Sequence, residues 1–181
     1  QDGEARGGRP LAFSDNGDGT ITDLSTRLVW EKLARDGGLH DQGAVATWSQ
    51  AFGKIAELDA VPCFAGSCTW RLPNAKELSS ILDFQRSAPA VAKSFVKRCK
   101  PGCDGVACGC SPAQTVNGAS GFWSSTTAVS SPGSAWLVDH ATGASAPVAK
   151  SALGTVRPVR SLDPCSEATA RITLRYDPLA G

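Results

Sequence analysis

The chain has 181 residues, 41% of them hydrophobic, and a formal net charge of +1. That length suffices for one sizeable domain with a real core, and the near-zero charge excludes a global pull toward nucleic acid or an anionic membrane. No apolar run approaches the length that crosses a bilayer, so membrane insertion is not expected.

Residues 1–10 are Gly- and charge-rich with no apolar period, which reads as a flexible lead-in. Residues 11–33 read as three short strands. Asp15-Asn-Gly-Asp-Gly19 supplies turn residues that tolerate positive φ. Asp15, Asn16 and Asp18 also raise a structural calcium. An EF-hand loop with Gly19 at its sixth position needs an acid at the first and Glu at the twelfth, where this chain has Ser14 and Ser25. A polar hairpin turn is therefore favoured over calcium, and no cofactor is expected. Residues 34–44 form a Gly-rich loop. Ala46 to Leu58 reads as a helix with Trp48, Phe52, Ile55 and Leu58 on one side, ended by Val61-Pro62.

Thr69-Trp-Arg-Leu-Pro-Asn-Ala-Lys-Glu-Leu78 reads as a buried strand end running into a helix. Trp70 and Leu72 alternate as strand residues do, and Pro73 stops the pairing. Asn74 and Glu77 have capping-box spacing for a helix from about Asn74 to Phe84. Arg71 points away from its apolar neighbours, toward solvent or a carboxylate. Residues 85–120 then form a long connection with a possible helical turn at Ala92–Lys100. Such a length inside a compact domain points to function or local stapling. Strands are expected at Gly121 to Thr126, Ser134 to His140 and Thr155 to Arg160. One more is expected at Arg171 to Tyr176.

The seven cysteines are Cys63, Cys68, Cys99, Cys103, Cys108, Cys110 and Cys165. A zinc reading of Cys99–Cys110 suffers from irregular spacing, no Cys-x-x-Cys pair and two distant histidines. Disulfides are favoured, which implies an oxidising compartment. The odd count leaves one thiol free or intermolecular, and the spacing does not fix the connectivity. Absence of Met implies a chain that begins after processing, with any signal peptide already removed.

No nucleophile motif and no phosphate-binding loop are present. His40 and His140 read more readily as surface histidines than as catalytic ones. The five tryptophans, Trp30, Trp48, Trp70, Trp123 and Trp136, coincide with predicted elements and read mainly as core. Trp123 and Trp136 neighbour polar runs and are the candidates to meet a ligand, as is His140. The best electrostatic candidate is the basic run Lys93, Lys97, Arg98 and Lys100, four cations within about a Debye length, about 8–10 Å. Such a run suits a sulfated or carboxylated polysaccharide.

The motif Trp70-Arg-Leu-Pro-Asn-x-Lys-Glu-Leu78 resembles the C-terminal domain of collagen-like adhesins, the Lcl C-terminal domain family. Phe13-Ser-Asp-Asn-Gly-Asp-Gly-Thr-Ile-Thr-Asp23, Leu28-Val-Trp30, Thr47-Trp48, Gly121-Phe-Trp-Ser-Ser-Thr126, Ala135-Trp-Leu-Val-Asp139 and Val156-Arg-Pro-Val-Arg160 follow its order. The resemblance spans roughly 11–162, leaving 163–181 as an extension. It implies an α+β, C-type-lectin-like fold, with two helices on a small, twisted, mainly antiparallel sheet and a long disulfide-stapled loop region facing a ligand. It also implies binding of sulfated glycans by a secreted or cell-surface adhesin. Oligomerisation is left open, because no collagen-like stalk is present. A looser similarity to formylglycine-generating enzymes shares the Arg-Leu-Pro-x-x-x-Glu turn. Those enzymes use a late cysteine pair, which Val156–Ser161 lacks.

The reading is a non-enzymatic extracellular recognition module for a glycan or a surface protein. Its alternatives are a formylglycine-generating-type enzyme and a structural domain of a larger surface assembly.

Overall fold

The computed structural model describes residues 11–112 and 121–162. Its first sheet grows from the Asp15–Gly19 turn. Asn16 Nδ2 donates to the hydroxyls of Thr20 and Thr22, and Asp18 accepts from the Thr20 N–H and hydroxyl. β1 (Phe13–Asp15) and β2 (Thr20–Asp23) flank this turn, and β3 (Leu28–Glu31) follows a second turn closed on the Asp23 carboxylate. A late strand, Val159–Ser161, joins β3 antiparallel and completes a four-stranded sheet.

The second sheet collects the remaining strands, so the one small sheet expected from the sequence is in fact two. They are β4 (Val45–Ala46), β5 (Phe122–Ala128), β6 (Ser131–Val138), β7 (Ser145–Ala149) and β8 (Gly154–Thr155), with Val159–Ser161 as β9. The spatial order is β4-β8-β5-β6-β7, and β5 with β8 is its parallel pair. β7 is an edge strand that its sequence hides. It carries Pro147 and is largely exposed, and edge strands tolerate Pro because they need not donate on the open side. The stretch expected as one strand from Thr155 to Arg160 breaks into β8 and β9. Arg157 turns inward there, and Pro158 has no N–H for a ladder.

Helix α1 (Trp48–Leu58) is capped by Thr47 with Gln50 in a capping box. Ala51, Ile55 and Leu58 form its buried face, whereas Phe52, expected there, is 42% exposed. Helix α2 (Ala75–Ser80) has the anticipated Asn74–Glu77 capping box but stops well before Phe84. The backbone beyond it is diverted. The Ala92 N–H donates to Ile81 O, Asp83 N–H donates to Ala90 O, and Leu82 bridges to Val91. Pairing with residues 90–92 therefore overrides local helix propensity. Phe84 is left 77% exposed.

Trp70-Arg71-Leu72-Pro73 locks this helix to both sheets. Arg71 exchanges both backbone hydrogen bonds with Val159 of β9, and Pro73 O accepts from Ser125 N–H of β5. The Arg71 guanidinium meets the Glu77 carboxylate bidentately, at 2.8 and 2.7 Å. Two apolar clusters fill the interior. One surrounds Trp30, Leu33, Leu78, Phe95 and Phe122, and the other Val29, Leu58, Trp70, Trp123 and Leu137. The strand expected at 171–176 and Cys165 lie outside the described residues.

Glu77 serves both the cap and Arg71. Partial burial works against its ionisation, but the Arg71 hydrogen bonds and the Asn74 N–H outweigh burial and hold its carboxyl below the usual range. Its contribution is therefore full above the ordinary carboxylate pKa and lost as acid protonates it. Glu77→Ala is expected to cost about 1–3 kcal/mol in urea unfolding at neutral pH. Glu77→Gln, which keeps a capping oxygen, is expected to cost less.

Candidate functional site

The long connection after α2 is organised around its sulfurs. Disulfides join Cys99 to Cys110 and Cys103 to Cys108, and a third joins Cys63 to Cys68. The sulfurs of Cys103 and Cys110 are 3.7 Å apart, so the two bridges pack against each other. The gathering of Cys99, Cys103 and Cys110 is thus covalent pairing, as favoured over zinc. Neighbours in sequence are not always partners: Cys99 skips Cys103. Three disulfides place the domain in an oxidising compartment, extracellular or periplasmic. No helix among the described residues is long and apolar enough to cross a membrane.

The stapled segment is not a free loop. Its inner side is core: Phe95, Cys103, Cys108 and Cys110 are buried with Trp30 and Leu33. Phe95 meets Phe13 edge-on at 5.2 Å. This corrects the expectation of a ligand-facing excursion with little core of its own. The backbone following β3 grips it. Cys110 N–H donates to Leu33 O, Arg35 N–H to Cys103 O, and Gly102 N–H to Arg35 O. Gly109 is required by close approach, since a Cβ there would sit 2.8 Å from Ser94 O.

Two buried cations complete the attachment. Lys32 Nζ donates to Val106 O and to both carboxylate oxygens of Asp15, each at 3.0 Å. Partial burial opposes ionisation of Asp15, but the Lys32 and Gly17 hydrogen bonds, with the charges of Lys32 and Lys97, hold its carboxyl below the usual range. Asp15, raised as a calcium ligand, is therefore engaged by a side chain of the protein itself. Arg157 lies wholly buried under the segment. It donates to Glu31 O (3.1 Å), Cys110 O (2.8 Å) and Ser111 Oγ (2.7 Å). Its guanidinium carbon stands 5.0 Å from the Phe95 ring centroid and 5.1 Å from that of Phe122. Burial pulls its pKa to about 10, against the pull of the Glu31 carboxylate.

With the inner side fixed, the outer side carries the charge. Lys93, Lys97, Arg98 and Lys100 are all exposed. Lys93 opens a 3₁₀ turn, Lys93–Val96, in place of the expected helical turn. Arg98 and Lys100 line a pocket of about 470 Å³ with Cys99, Cys103, Ala107 and Cys108. Lys93 and Lys97 do not line it. Arg98 holds φ +56°, a sparsely populated conformation for a side-chain-bearing residue. Gly109 N–H donates to Lys97 O just before this kink. Arg35 was not anticipated. It is exposed and brought beside the segment by its backbone pairing with Cys103, from more than sixty residues away in sequence. Only tertiary pairing reveals it.

The other candidates separate. Trp123 is wholly buried and donates its indole N–H to Ala46 O at 2.9 Å, so it is framework and not a ligand contact. His140 is also buried, at 1% exposure, stacked on Phe122 with centroids 4.1 Å apart. It is neither a surface histidine nor open to a ligand. Trp136 is half-buried in a shallow groove with Lys76, Ser79, Ser80 and Ser145.

His40 is likewise less free than expected. Its Nδ1 sits 2.6 Å from Oε1 of the buried Glu31, whose Oε2 accepts from Lys54 Nζ at 2.8 Å. The His40 ring packs on Phe64 at 4.5 Å.

The family model described as the Lcl C-terminal domain matches residues 19–160, well over half of the chain. No curated protein matches it.

His140 supplies a pH test. Burial, and then the neighbouring Arg157 charge, hold its pKa well below 6.5, and the opposing influence of the Leu78 backbone does not offset them. The unfolded chain binds the proton that the folded chain refuses. Stability is therefore full above pH 6.5 and falls as pH drops below it. Urea unfolding should show a steeper loss between about pH 7 and 5 for the parent than for His140→Phe, which keeps the stack on Phe122 but cannot charge.

Proposed function

The chain belongs to the Lcl C-terminal domain family, and on that footing we propose that it is a non-enzymatic recognition module of the secreted or cell-surface kind. Its ligand is an anionic polysaccharide, sulfated or carboxylated, held at the rim of the stapled segment. The carrying observation is the Arg98–Lys100 pocket, whose lining includes cysteines of both bridges and whose backbone is tied on both sides. Cations on a pre-ordered backbone lose little conformational freedom on binding, and such preorganisation is what converts a surface charge cluster into a site. Arg98 supplies a planar guanidinium suited to two oxygens of one sulfate or carboxylate. Lys93, Lys97 and Arg35 extend the positive field along the same segment and favour a polyanion over a single small anion.

The two helices and two mainly antiparallel sheets agree with a C-type-lectin-like arrangement. This reading assigns the ligand to the outer, exposed side of residues 93–100, the side that the core does not take up. Calcium has no part in this reading. A protein ligand with an acidic face is the second possibility, favoured by the openness of the rim.

Heparin-column and calorimetric measurements test the proposal. Arg98→Ala with Lys100→Ala should weaken heparin binding about tenfold or more, roughly 1.4 kcal/mol. The salt dependence should also flatten, because fewer charges are neutralised. Retention of parental affinity and salt dependence would remove the rim from the site.

A further inference from the structure

We infer that the groove around Trp136 is a separate saccharide subsite, in which a pyranose ring lies on the indole face. It shares no residue with the basic rim and does not rest on that reading. β6 sends Ala135 and Leu137 into the second core cluster, so Trp136 faces the opposite side of the strand, toward α2. There it lies half-buried in an open groove of about 500 Å³ with Ala75, Lys76, Ser79, Ser80 and Ser145.

The other four tryptophans are committed to the fold. Trp30, Trp70 and Trp123 are buried. Trp48 donates its indole N–H to Ser124 O at 2.9 Å and lies under the Lys150 ammonium at 4.1 Å. Trp136 combines two features that the others show only singly: Trp48 is partly open but bonded, and the Trp30 N–H is unbonded but buried. Its indole is partly open to solvent, and among the described residues its N–H makes no hydrogen bond. A ligand there gains stacking and a hydrogen bond together.

The lining selects the chemistry of the occupant. Ser79 Oγ donates to Ala75 O and Ser80 Oγ to Glu77 O, so both hydroxyls turn lone pairs outward as acceptors. Lys76 and Ser145 also line the groove. A purely apolar side chain seated on the indole would desolvate these groups without satisfying them. A pyranose has an apolar C–H face for the ring and equatorial hydroxyls to donate to the serines and to accept from the indole N–H and Lys76. Nothing in the groove demands an anionic sugar, which sets it apart from the rim.

The test is titration of ¹⁵N-labelled protein with cellobiose, lactose and N,N′-diacetylchitobiose, following the five indole N–H resonances. The Trp136 resonance is expected to shift saturably with at least one of the three, without dependence on salt. Trp136→Ala should weaken that binding about tenfold, and Trp136→Phe, which keeps a ring, should weaken it less. Thermal unfolding of Trp136→Phe should match the parent, excluding a general loss of fold. The inference is overturned if none of the three sugars moves the resonance, or if affinity survives Trp136→Ala. It is equally overturned if binding is lost in the Arg98→Ala, Lys100→Ala variant, since the sugar would then belong to the rim. Heparin binding is read on the same variants, so failure of the rim and failure of this groove are told apart.

Discussion

The Arg157 guanidinium, held between the rings of Phe95 and Phe122, is the contact on which the candidate site depends. It reaches the end of β3 through Glu31 O and the stapled segment through Cys110 O and Ser111 Oγ. Taking a cation out of water costs several kcal/mol, so it persists only where acceptors and ring faces compensate. Removing it would leave buried carbonyls unpaired, at about 1–3 kcal/mol each. The disulfides close the segment on itself, but they do not attach it to anything. Arg157, Lys32 and the backbone pairs of Leu33 and Arg35 do that.

This division of labour explains how a cationic surface can be held in place. Two cysteine bridges limit the segment's own freedom. Phe95 drives one side of it into the core beside Trp30. The residues left outside, Arg98 and Lys100 among them, then stand on a backbone that has few alternatives. Arg71 does the matching work at the other end, where its pairing with Val159 brings α2 against the strand that follows Arg157. The placing of these cations thus follows from the segment's own bridges and from packing and pairing supplied elsewhere in the chain.

Local chemistry was legible in the sequence wherever a few neighbouring residues decide the outcome. The Asn74–Glu77 cap, the Arg71 search for a carboxylate and the Asp15–Gly19 turn all follow from short-range spacing. The limits of α2 did not, because Ile81–Asp83 pair with residues 90–92 that no local pattern connects to them. Trp123 and Trp136 look alike in sequence, each beside polar residues. Both faces of β5 are covered around Trp123, whereas β6 turns Trp136 toward a helix too short to hide it. Buried Glu31, Lys32, Arg157 and His140 contradict the expectation that charged or titratable groups stay in water. Partners from other segments make that burial tolerable for Glu31, Lys32 and Arg157, whereas the His140 ring nitrogens have no hydrogen-bond partner among the described residues. Arg35 reached the site the same way, through a loop that reads as featureless.

The central claim is that one buried arginine fixes the segment presenting the cations. Amide hydrogen exchange of Arg157→Lys tests it most directly, since a lysine ammonium cannot span the same three acceptors. The account predicts a selective loss of protection at the N–H groups of Arg35, Gly109 and Cys110, with those of α1 and the β5–β6 ladder unchanged. Unchanged protection at those three, or a uniform rise in exchange across the domain, would contradict it.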